Sequence, residues 1–427
     1  MGYRLIERFL MSFCGLDFGT SNSTIGVAQQ QQIRMVPLDA DKTTLRSAIF
    51  INDEEQCMNL GREAMSHYTD GMEGRLLMSL KSVLGSSLMQ EKTRVLNQMQ
   101  PFTAILGHFI QHLKNQAEQF KQSAIDSVVC GRPVYFKDGN PELDKLAQDT
   151  LETILRSVGF KQIKFQFEPI AASAFYKKQI RQEQLVLIID LGGGTSDFCL
   201  IRMNPHNPAS LDDIIAADGI HIGGNDFDKL LNYEKVSPHL GRGTLMRALN
   251  GSDLEIPSYW YHDLATWHKI NFLYGKQTLI DIQQIYTQAY DKSKLARLVD
   301  VIKYRYGHQI AEHVEACKIQ FSTQNQTDID LSFIDEALFI PASKTEFADL
   351  LQNDLLRLEQ TIQNLLNNAG VKPEAINTVF FTGGSSKIDA IQQHIMRLFS
   401  HAQKMEGDYF NSVGMGLTIE AQEIYHS

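Results

Sequence analysis

The most informative run of this chain is Leu185-Val-Leu-Ile-Ile-Asp190-Leu-Gly-Gly-Gly-Thr-Ser-Asp197. It begins as a nearly continuous apolar segment, which is typical of a strand that is buried on both faces. Three consecutive glycines follow, and they let backbone N–H groups approach a phosphate closely. Phe198–Ile201 then resumes as a strand. Because three glycines between two carboxylates would be a poor structural choice without a ligand, the run predicts a phosphate-binding strand–turn–strand unit.

A second version of this unit lies near the start of the chain. Phe13–Asp17 is a short apolar run, Phe-Gly-Thr-Ser-Asn follows it, and Thr24–Ala28 is apolar again. Alone, this stretch fits an ordinary hairpin turn equally well. Beside the first run it indicates an internally duplicated chain with one phosphate-binding hairpin in each half.

A third glycine turn lies near the C-terminal end. Thr378–Phe381 predicts a strand, Thr382-Gly-Gly-Ser-Ser predicts a turn, and Ile388–Phe399 has helical apolar spacing. Strand–glycine–helix turns also occur for packing reasons, so this motif is less specific than the first. The three turns in this order together favour a nucleotide site.

Carboxylates at the ends of these strands indicate a metal ion. A carboxylate cannot touch a phosphate directly because like charges repel, so a hydrated Mg²⁺ must lie between them. The predicted metal residues, mostly acting through water, are Asp17, Asp190, Asp197 and Glu168. The chain contains no GxxxxGK[ST] motif and is therefore not a P-loop protein.

The composition restricts the class of protein. A formal net charge of −10 over 427 residues argues against a general nucleic-acid binder, which needs a basic face. The chain has five cysteines without a CxxC motif, which predicts buried free thiols in a reducing cytoplasm. No apolar stretch approaches the roughly 18–20 residues that span a bilayer. The first ten residues lack a signal-peptide pattern, and Met11 is an alternative start to Met1.

Together, these motifs resemble the nucleotide-binding domain of the seventy-kilodalton heat-shock chaperones (the DnaK family) in the actin-like ATPase superfamily. The resemblance extends from about Phe13 to about Glu420. It implies an α/β fold with two lobes, each a ribonuclease-H-like domain with an inserted subdomain. The implied bounds are 12–184 for lobe I with an insertion at about 37–100, 185–404 for lobe II with an insertion at about 231–345, and 405–427 for a segment that returns to lobe I.

The resemblance also implies four catalytic residues, Lys81, Glu168, Asp190 and Thr195. Lys81, within Leu-Lys-Ser-Val-Leu-Gly, would orient the attacking water and stabilise charge on the γ-phosphate. Glu168, within Phe-Glu-Pro-Ile-Ala-Ala, would face magnesium, and Thr195 would lie near the γ-phosphate. The implied nucleotide-binding residues are Gly19, Thr20, Ser21, Gly192, Gly193, Gly194, Gly223, Gly224, Glu315, Lys318, Ser322, Gly383, Gly384, Ser385 and Lys387.

The chain departs from the family at several places. Ile319 and Lys387 stand where the family has arginines that contact adenine, and neither can stack on the base as a planar guanidinium does. Pro133 lies in a segment that links nucleotide state to lobe motion in the family, but residues 137–150 offer it no recognisable partner. No leucine-rich acidic linker, β-sandwich clamp or helical lid follows the ATPase motifs, so we expect no peptide-binding domain.

Structural interpretations compete with these functional ones. Lys81 would also suit a solvated helix face, and Glu168 before proline would suit a plain helix start. The cluster Trp260, Tyr261, His262, Trp267 and His268 is expected to be lobe core. His308 and His313 are five residues apart and do not have the i, i+4 spacing of a helical zinc pair.

The predicted function is ATP binding with slow Mg²⁺-dependent hydrolysis, coupled to closure of the lobes. The expected ligands are ATP or ADP and Mg²⁺, with K⁺ as a further candidate. The expected partner is a protein or client, and neither a nucleic acid nor a membrane. A small-molecule kinase of the same superfamily, a filament-forming actin-like protein and a non-hydrolysing nucleotide-dependent scaffold remain alternatives.

Overall fold

A computed structural model of the chain describes residues 12–29, 32–70, 72–137, 139–177, 180–206, 213–247, 252–267, 269–407 and 411–425. The choice between Met1 and Met11 and the surroundings of His268 lie outside the described residues.

The described residues form twenty strands and thirteen α-helices. The strands are β1 (Phe13–Asp17), β2 (Asn22–Gln29), β3 (Gln32–Met35), β4 (Leu45–Arg46), β5 (Ala48–Asn52), β6 (Cys57–Leu60), β7 (Gly74–Met78), β8 (Lys92–Val95), β9 (Gln98–Pro101), β10 (Ser127–Arg132), β11 (Gln162–Phe167), β12 (Gln184–Leu191), β13 (Ser196–Met203), β14 (Ile214–Ile220), β15 (Leu245–Arg247), β16 (Asp253–Glu255), β17 (Gln326–Asp330), β18 (Phe339–Ser343), β19 (Thr378–Thr382) and β20 (Gln403–Glu406). The α-helices are α1 (Gly61–Thr69), α2 (Phe102–Lys121), α3 (Pro141–Ser157), α4 (Glu168–Lys177), α5 (Gly224–Leu231), α6 (Tyr259–Leu264), α7 (Lys276–Gln288), α8 (Lys292–Lys303), α9 (Gly307–Gln320), α10 (Lys344–Leu350), α11 (Gln352–Ala369), α12 (Asp389–Met396) and α13 (Ser412–Tyr425).

The two halves of the chain contain sheets of the same topology. The first follows the order β3-β2-β1-β10-β11 and the second the order β14-β13-β12-β19-β20. In each sheet the first hairpin strand pairs antiparallel with its successor and parallel with a strand much later in the chain. This shared topology confirms the duplicated two-lobed α/β fold.

Strand β12 is apolar from Leu185 to Ile189 because it faces a different core on each side. Leu187 and Ile189 pack into the core of lobe II. Val186 and Ile188, which point the other way, pack into an apolar layer that lies between the two sheets. Alternate side chains point to opposite faces of a strand, so two buried faces produce an uninterrupted apolar run.

Helices α4 and α13 form the apolar layer between the sheets. Helix α13 packs against α4, β1 and β10, and α4 packs against β12 and β13. The two helices approach closely at Gly416, where any side chain would overlap the backbone carbonyl of Ala171. Helix α13 therefore packs on the first sheet. The residue bounds given for the two lobes and their insertions stay predictions.

Further elements are inserted into each half, and those of the two halves contact each other. In lobe I they are the three-stranded sheet β6-β5-β7 and helix α1. Tyr68 on α1 donates a hydrogen bond to Asn271 Oδ1 at 2.7 Å, and its ring lies 4.4 Å from that of His308. The ring of Trp267 also packs against His308, with 4.6 Å between the ring centres.

The aromatic cluster is thus divided between two environments. The prediction of lobe core is confirmed for Trp260 and Tyr261, which are buried in lobe II. It is wrong for Trp267, which packs beside the small apolar cluster of the lobe I insertion. The ring of His262 stacks on Tyr233 at 4.1 Å. No helix among the described residues has the length and apolar character needed to cross a bilayer.

Candidate functional site

A cleft of about 720 Å³ lies between the two sheets and brings together nearly all of the candidate residues. The candidates that line it are Asp17, Gly19, Thr20, Ser21, Lys81, Glu168, Asp190, Gly192, Gly193, Gly194, Thr195, Asp197, Gly224, Glu315, Lys318, Ser322, Gly383, Gly384, Ser385 and Lys387. Both halves of the chain contribute to this cleft.

The first phosphate turn is fixed by backbone contacts. Its Gly19 has no room for a side chain, because a Cβ atom there would overlap the carbonyl of Asn22. Ser47 Oγ donates a hydrogen bond to the carbonyl oxygen of Gly19 at 2.7 Å, and the N–H of Ser47 donates to the carbonyl of Ser21 at 2.9 Å. These bonds leave little freedom for the turn that leads into β2.

The second phosphate turn is supported from behind by the start of α5. The N–H groups of Gly224 and Asn225 donate to the carbonyls of Gly192 and Gly193 at 3.0 and 2.7 Å. Gly223 does not line the cleft: a Cβ atom there would lie 2.6 Å from the backbone of Gly193. Gly223 therefore supports the turn, since only a residue without a side chain fits behind it, and nucleotide binding by Gly223 stays a prediction.

The two phosphate turns face each other at contact distance. A Cβ atom at Gly193 would overlap Ser21 Oγ, and one at Gly194 would lie 3.4 Å from the Cγ2 methyl of Thr20. Hydroxyl and N–H donors of both turns can therefore reach the same phosphate group.

Lys81 lies in a short 3₁₀ turn, Leu80–Val83, and forms an ion pair with Glu168. The side chain is only 7% exposed, so the alternative of a solvated helix lysine is wrong. Burial lowers the pKa of Lys81, but the carboxylates of Glu168 and Asp17 outweigh burial and raise the pKa overall. The ammonium therefore stays charged at the centre of the cleft.

Two other carboxyl groups of the cleft resist ionisation. Burial, followed by repulsion from Glu168, raises the pKa of Asp17 to about 7. Burial raises the pKa of Asp190 well above its usual range, and Glu168 and Asp197 add to this shift. Asp197 lies opposite Asp190 in the ladder of β12 and β13 and accepts a hydrogen bond from Thr195 Oγ1 at 3.2 Å.

This donor set fits a hydrated divalent cation. Among the described residues, the ammonium of Lys81 lies among the carboxyl groups of Asp17, Glu168, Asp190 and Asp197, and phosphates would add further negative charge to the same cleft. A Mg²⁺ ion that retains most of its waters would offset this negative charge, and these carboxyl groups would hold it through water.

At the other end of the cleft, the helix residues are held by ion pairs. Glu315 pairs with Arg46 at 2.7 Å, and Lys318 pairs with Asp228 at 2.7 Å and donates to the carbonyl of Gly224 at 3.2 Å. Burial raises the pKa of Glu315, but Arg46 and Lys318 outweigh it and lower the pKa overall. Burial also raises the pKa of Asp228 to about 6 despite Lys318.

The third glycine turn adjoins this end of the cleft. Ser385 Oγ donates to the carbonyl of Gly192 at 2.8 Å, which ties the third turn to the second. Ile319 is 60% exposed beside it, and Lys344 forms an ion pair with Asp389. This end of the cleft therefore has an isoleucine and a lysine–aspartate pair among its walls.

Sequence reasoning missed several residues of the site. Arg46 lies in a two-residue strand without a motif, so nothing in the sequence marked it. Asp228 did carry a signal, because it is the last residue of the Gly-Gly-Asn-Asp-Phe-Asp turn. The pair of Lys344 and Asp389 joins residues 45 positions apart, which no local pattern indicates.

A comparison with protein families agrees with this geometry. The family model described as "Hsp70 protein" matches residues 13–237 and 282–424. The matched ranges contain all three glycine turns, Lys81 and Glu168. The residues between the two ranges, which include α6, lie among the elements inserted into lobe II.

Proposed function

The chain belongs to the Hsp70 family of ATP-binding chaperones, and from this membership we propose that it hydrolyses ATP slowly with Mg²⁺ and couples hydrolysis to lobe closure. The observation that carries the proposal is the buried ion pair of Lys81 and Glu168. It lies in the cleft where the two phosphate turns face each other.

The residues of the cleft would have different roles in hydrolysis. The two turns would bind the β- and γ-phosphates through backbone N–H and hydroxyl donors. Lys81 donates hydrogen bonds and cannot accept a proton while charged, so it would orient the attacking water and stabilise charge on the γ-phosphate. Glu168 holds this ammonium in place. A bound Mg²⁺ would neutralise phosphate charge, and Asp17, Asp190 and Asp197 would hold it through water.

Closure of the lobes would follow from the placement of the turns. Ser21 belongs to one half of the chain and Gly193 to the other, and a γ-phosphate would accept hydrogen bonds from both turns. A ligand shifts a conformational equilibrium only when it binds one state better than the other. ATP makes this difference because it carries the phosphate that bridges the turns, whereas ADP lacks it.

The proposed partners are protein clients or co-acting proteins, and the proposed compartment is the cytoplasm. Each of the five cysteines is a free thiol, and four of them are buried. Free thiols of this kind suit a reducing compartment. A requirement for K⁺ can be tested by replacing it with Na⁺ in the phosphate-release assay.

The test is calorimetric titration of ATP, ADP and GTP with Mg²⁺, with phosphate release followed in parallel. It compares the unmodified protein with Lys81→Ala and with Lys145→Ala, a matched change of a surface lysine on α3. We expect all three proteins to bind ATP and only Lys81→Ala to lose phosphate release. ATP binding without phosphate release by the unmodified protein would favour a nucleotide-dependent scaffold. Absence of nucleotide binding would show that the proposal is wrong.

A further inference from the structure

The guanidinium of Arg132 occupies an enclosed position directly behind the cleft. Arg132 is the last residue of β10, and its side chain is 14% exposed. It donates to the carbonyls of Pro133 and Val134 at 3.1 and 3.2 Å. Since both carbonyls belong to the segment that follows β10, the side chain fixes the course of the chain where it turns along the cleft.

The same guanidinium binds helix α3. It donates to Gln148 Oε1 at 2.5 Å and forms an ion pair with Asp144 at 2.8 Å. The other oxygen of Asp144 accepts a hydrogen bond from the N–H of Phe136 at 2.6 Å. The expectation that residues 137–150 offer the segment of Pro133 no partner is therefore wrong, because α3 holds this segment from both ends.

Helix α3 in turn supports the turn that carries Lys81. Gly85, at φ +73°, lies so close to α3 that a Cβ atom there would be 2.8 Å from the carbonyl of Leu143. Lys137 donates to the carbonyl of Ser82 at 3.0 Å, next to Lys81. Displacement of α3 would therefore displace Lys81.

Arg132 also supports the other member of the ion pair. It lies opposite Phe167 in the ladder of β10 and β11, and its guanidinium carbon is 5.0 Å from the centre of that ring. Glu168 follows Phe167 directly. The side chain of Glu168 packs on Gly131, where a Cβ atom would lie 3.2 Å from its Cγ. One guanidinium therefore supports Glu168 from one side and, through α3, Lys81 from the other.

We propose that Arg132 is a positioning residue for the ATPase reaction: it holds Glu168 and α3 at a fixed separation and thereby fixes the ammonium of Lys81. The inference rests on the ATPase function proposed above. A planar guanidinium can serve two carbonyls, an amide and a carboxylate at once, whereas the single ammonium of a lysine cannot. An error of about 1 Å in the position of a catalytic group can cost about a hundredfold in rate.

The test measures the single-turnover rate of phosphate release and the Kd for ATP with Mg²⁺. We expect Arg132→Gln to slow release about ten- to hundredfold, with the Kd unchanged within about twofold. The rate of phosphate release by Arg132→Lys should lie between those of Arg132→Gln and the unmodified protein. The matched control is Arg156→Gln, which changes a surface arginine of α3 that pairs with Glu152 and should keep the full rate.

A double variant separates positioning from general stability. If Arg132 acts through Lys81, then Arg132→Gln combined with Lys81→Ala should release phosphate as slowly as Lys81→Ala alone. The proposal would be overturned if Arg132→Gln released phosphate at the full rate, whether its Kd for ATP were unchanged or higher. Should Arg132→Gln fail to fold, Asp144→Asn keeps the side-chain shape and decides the matter, since a full rate in this variant would also overturn it. A full rate in Lys81→Ala would instead refute the proposed ATPase function itself.

Discussion

A methyl group at Gly193 would occupy the space in which the two phosphate turns meet. Gly193→Ala places its Cβ against Ser21 Oγ, so the turns must separate. Overpacking of this kind costs about 1–3 kcal/mol, and we expect the Kd for ATP to rise roughly five- to 150-fold. Calorimetric titration with ATP and Mg²⁺ would measure the change.

Two further variants test this cause. Ser21→Gly removes the group that the new methyl meets, so Gly193→Ala should weaken ATP binding less in the Ser21→Gly protein than in the unmodified protein. Gly107→Ala is the control, because its Cβ would meet other atoms only at 3.9 Å or more. Equal binding by Gly193→Ala and the unmodified protein would show that the turns do not need to approach this closely.

Glu312 should give the stability of the protein a dependence on pH. Burial raises its pKa from 4.5 to about 7, with Arg46 opposing this shift and Glu315 adding to it. Between these two values the unfolded chain loses the proton and the folded protein keeps it. The contribution of Glu312 to the free energy of unfolding therefore falls as pH rises from about 4.5 to about 7. Urea unfolding of Glu312→Gln should show a smaller fall over this window than the unmodified protein, and an equal fall would refute the assignment.

At the scale of elements, the contact between the insertions should slow the release of nucleotide. Tyr68 on α1 contacts His308 on α9 and Asn271 in the turn Ile270–Tyr274. We expect the proposed opening of the lobes to break these contacts. Aromatic contacts contribute about 0.5–1.5 kcal/mol beyond burial. We therefore expect Tyr68→Ala to release ADP about two- to tenfold faster in a stopped-flow experiment with a fluorescent analogue.

The control for this experiment removes an aromatic ring from the turn Ile270–Tyr274, which Tyr68 contacts. Phe272 is 77% exposed, and Phe272→Ala should leave the release rate unchanged. If both variants accelerate release equally, the effect belongs to the turn as a whole and not to the contact between the insertions.

The elements also show what a sequence can and cannot predict. Strand β12 and its glycine turn were predictable because burial on two faces and binding of phosphate leave local patterns. The support of Arg132 by Asp144 and the pairing of Arg46 with Glu315 were not, since these partners lie 12 and 269 positions apart. Trp267 was assigned to the wrong environment because aromatic density predicts burial but not the element that provides it. Gly223 was predicted from the family resemblance to bind nucleotide, and the sequence could not show that this residue packs against the backbone of Gly193.

At the scale of the whole molecule, the crossing of α4 and α13 should make the two lobes one cooperative unit. Gly416→Ala would force a methyl group into the backbone of Ala171 and separate these helices. We expect the free energy of unfolding to fall by about 1–3 kcal/mol. Urea unfolding can be followed by the fluorescence of Trp260 and Trp267, which report on the core of lobe II and on the lobe I insertion, and by circular dichroism, which reports on the helices of both lobes. The two signals should still give coincident transitions.

Gly275→Ala is the control for this substitution. A Cβ atom there would meet other atoms only at 3.9 Å, so its stability should remain unchanged. Separate transitions for the two signals in the unmodified protein would contradict the single cooperative unit.

The position of α13 also bears on how the protein is synthesised. Its residues 412–425 pack on β1, which leaves the ribosome roughly 400 residues earlier. At about 5–20 residues per second, the first sheet waits for tens of seconds with the apolar face around Phe13 and Val129 uncovered. We therefore expect the nascent chain of this protein to be bound by the holdases that meet growing polypeptides, until α13 emerges.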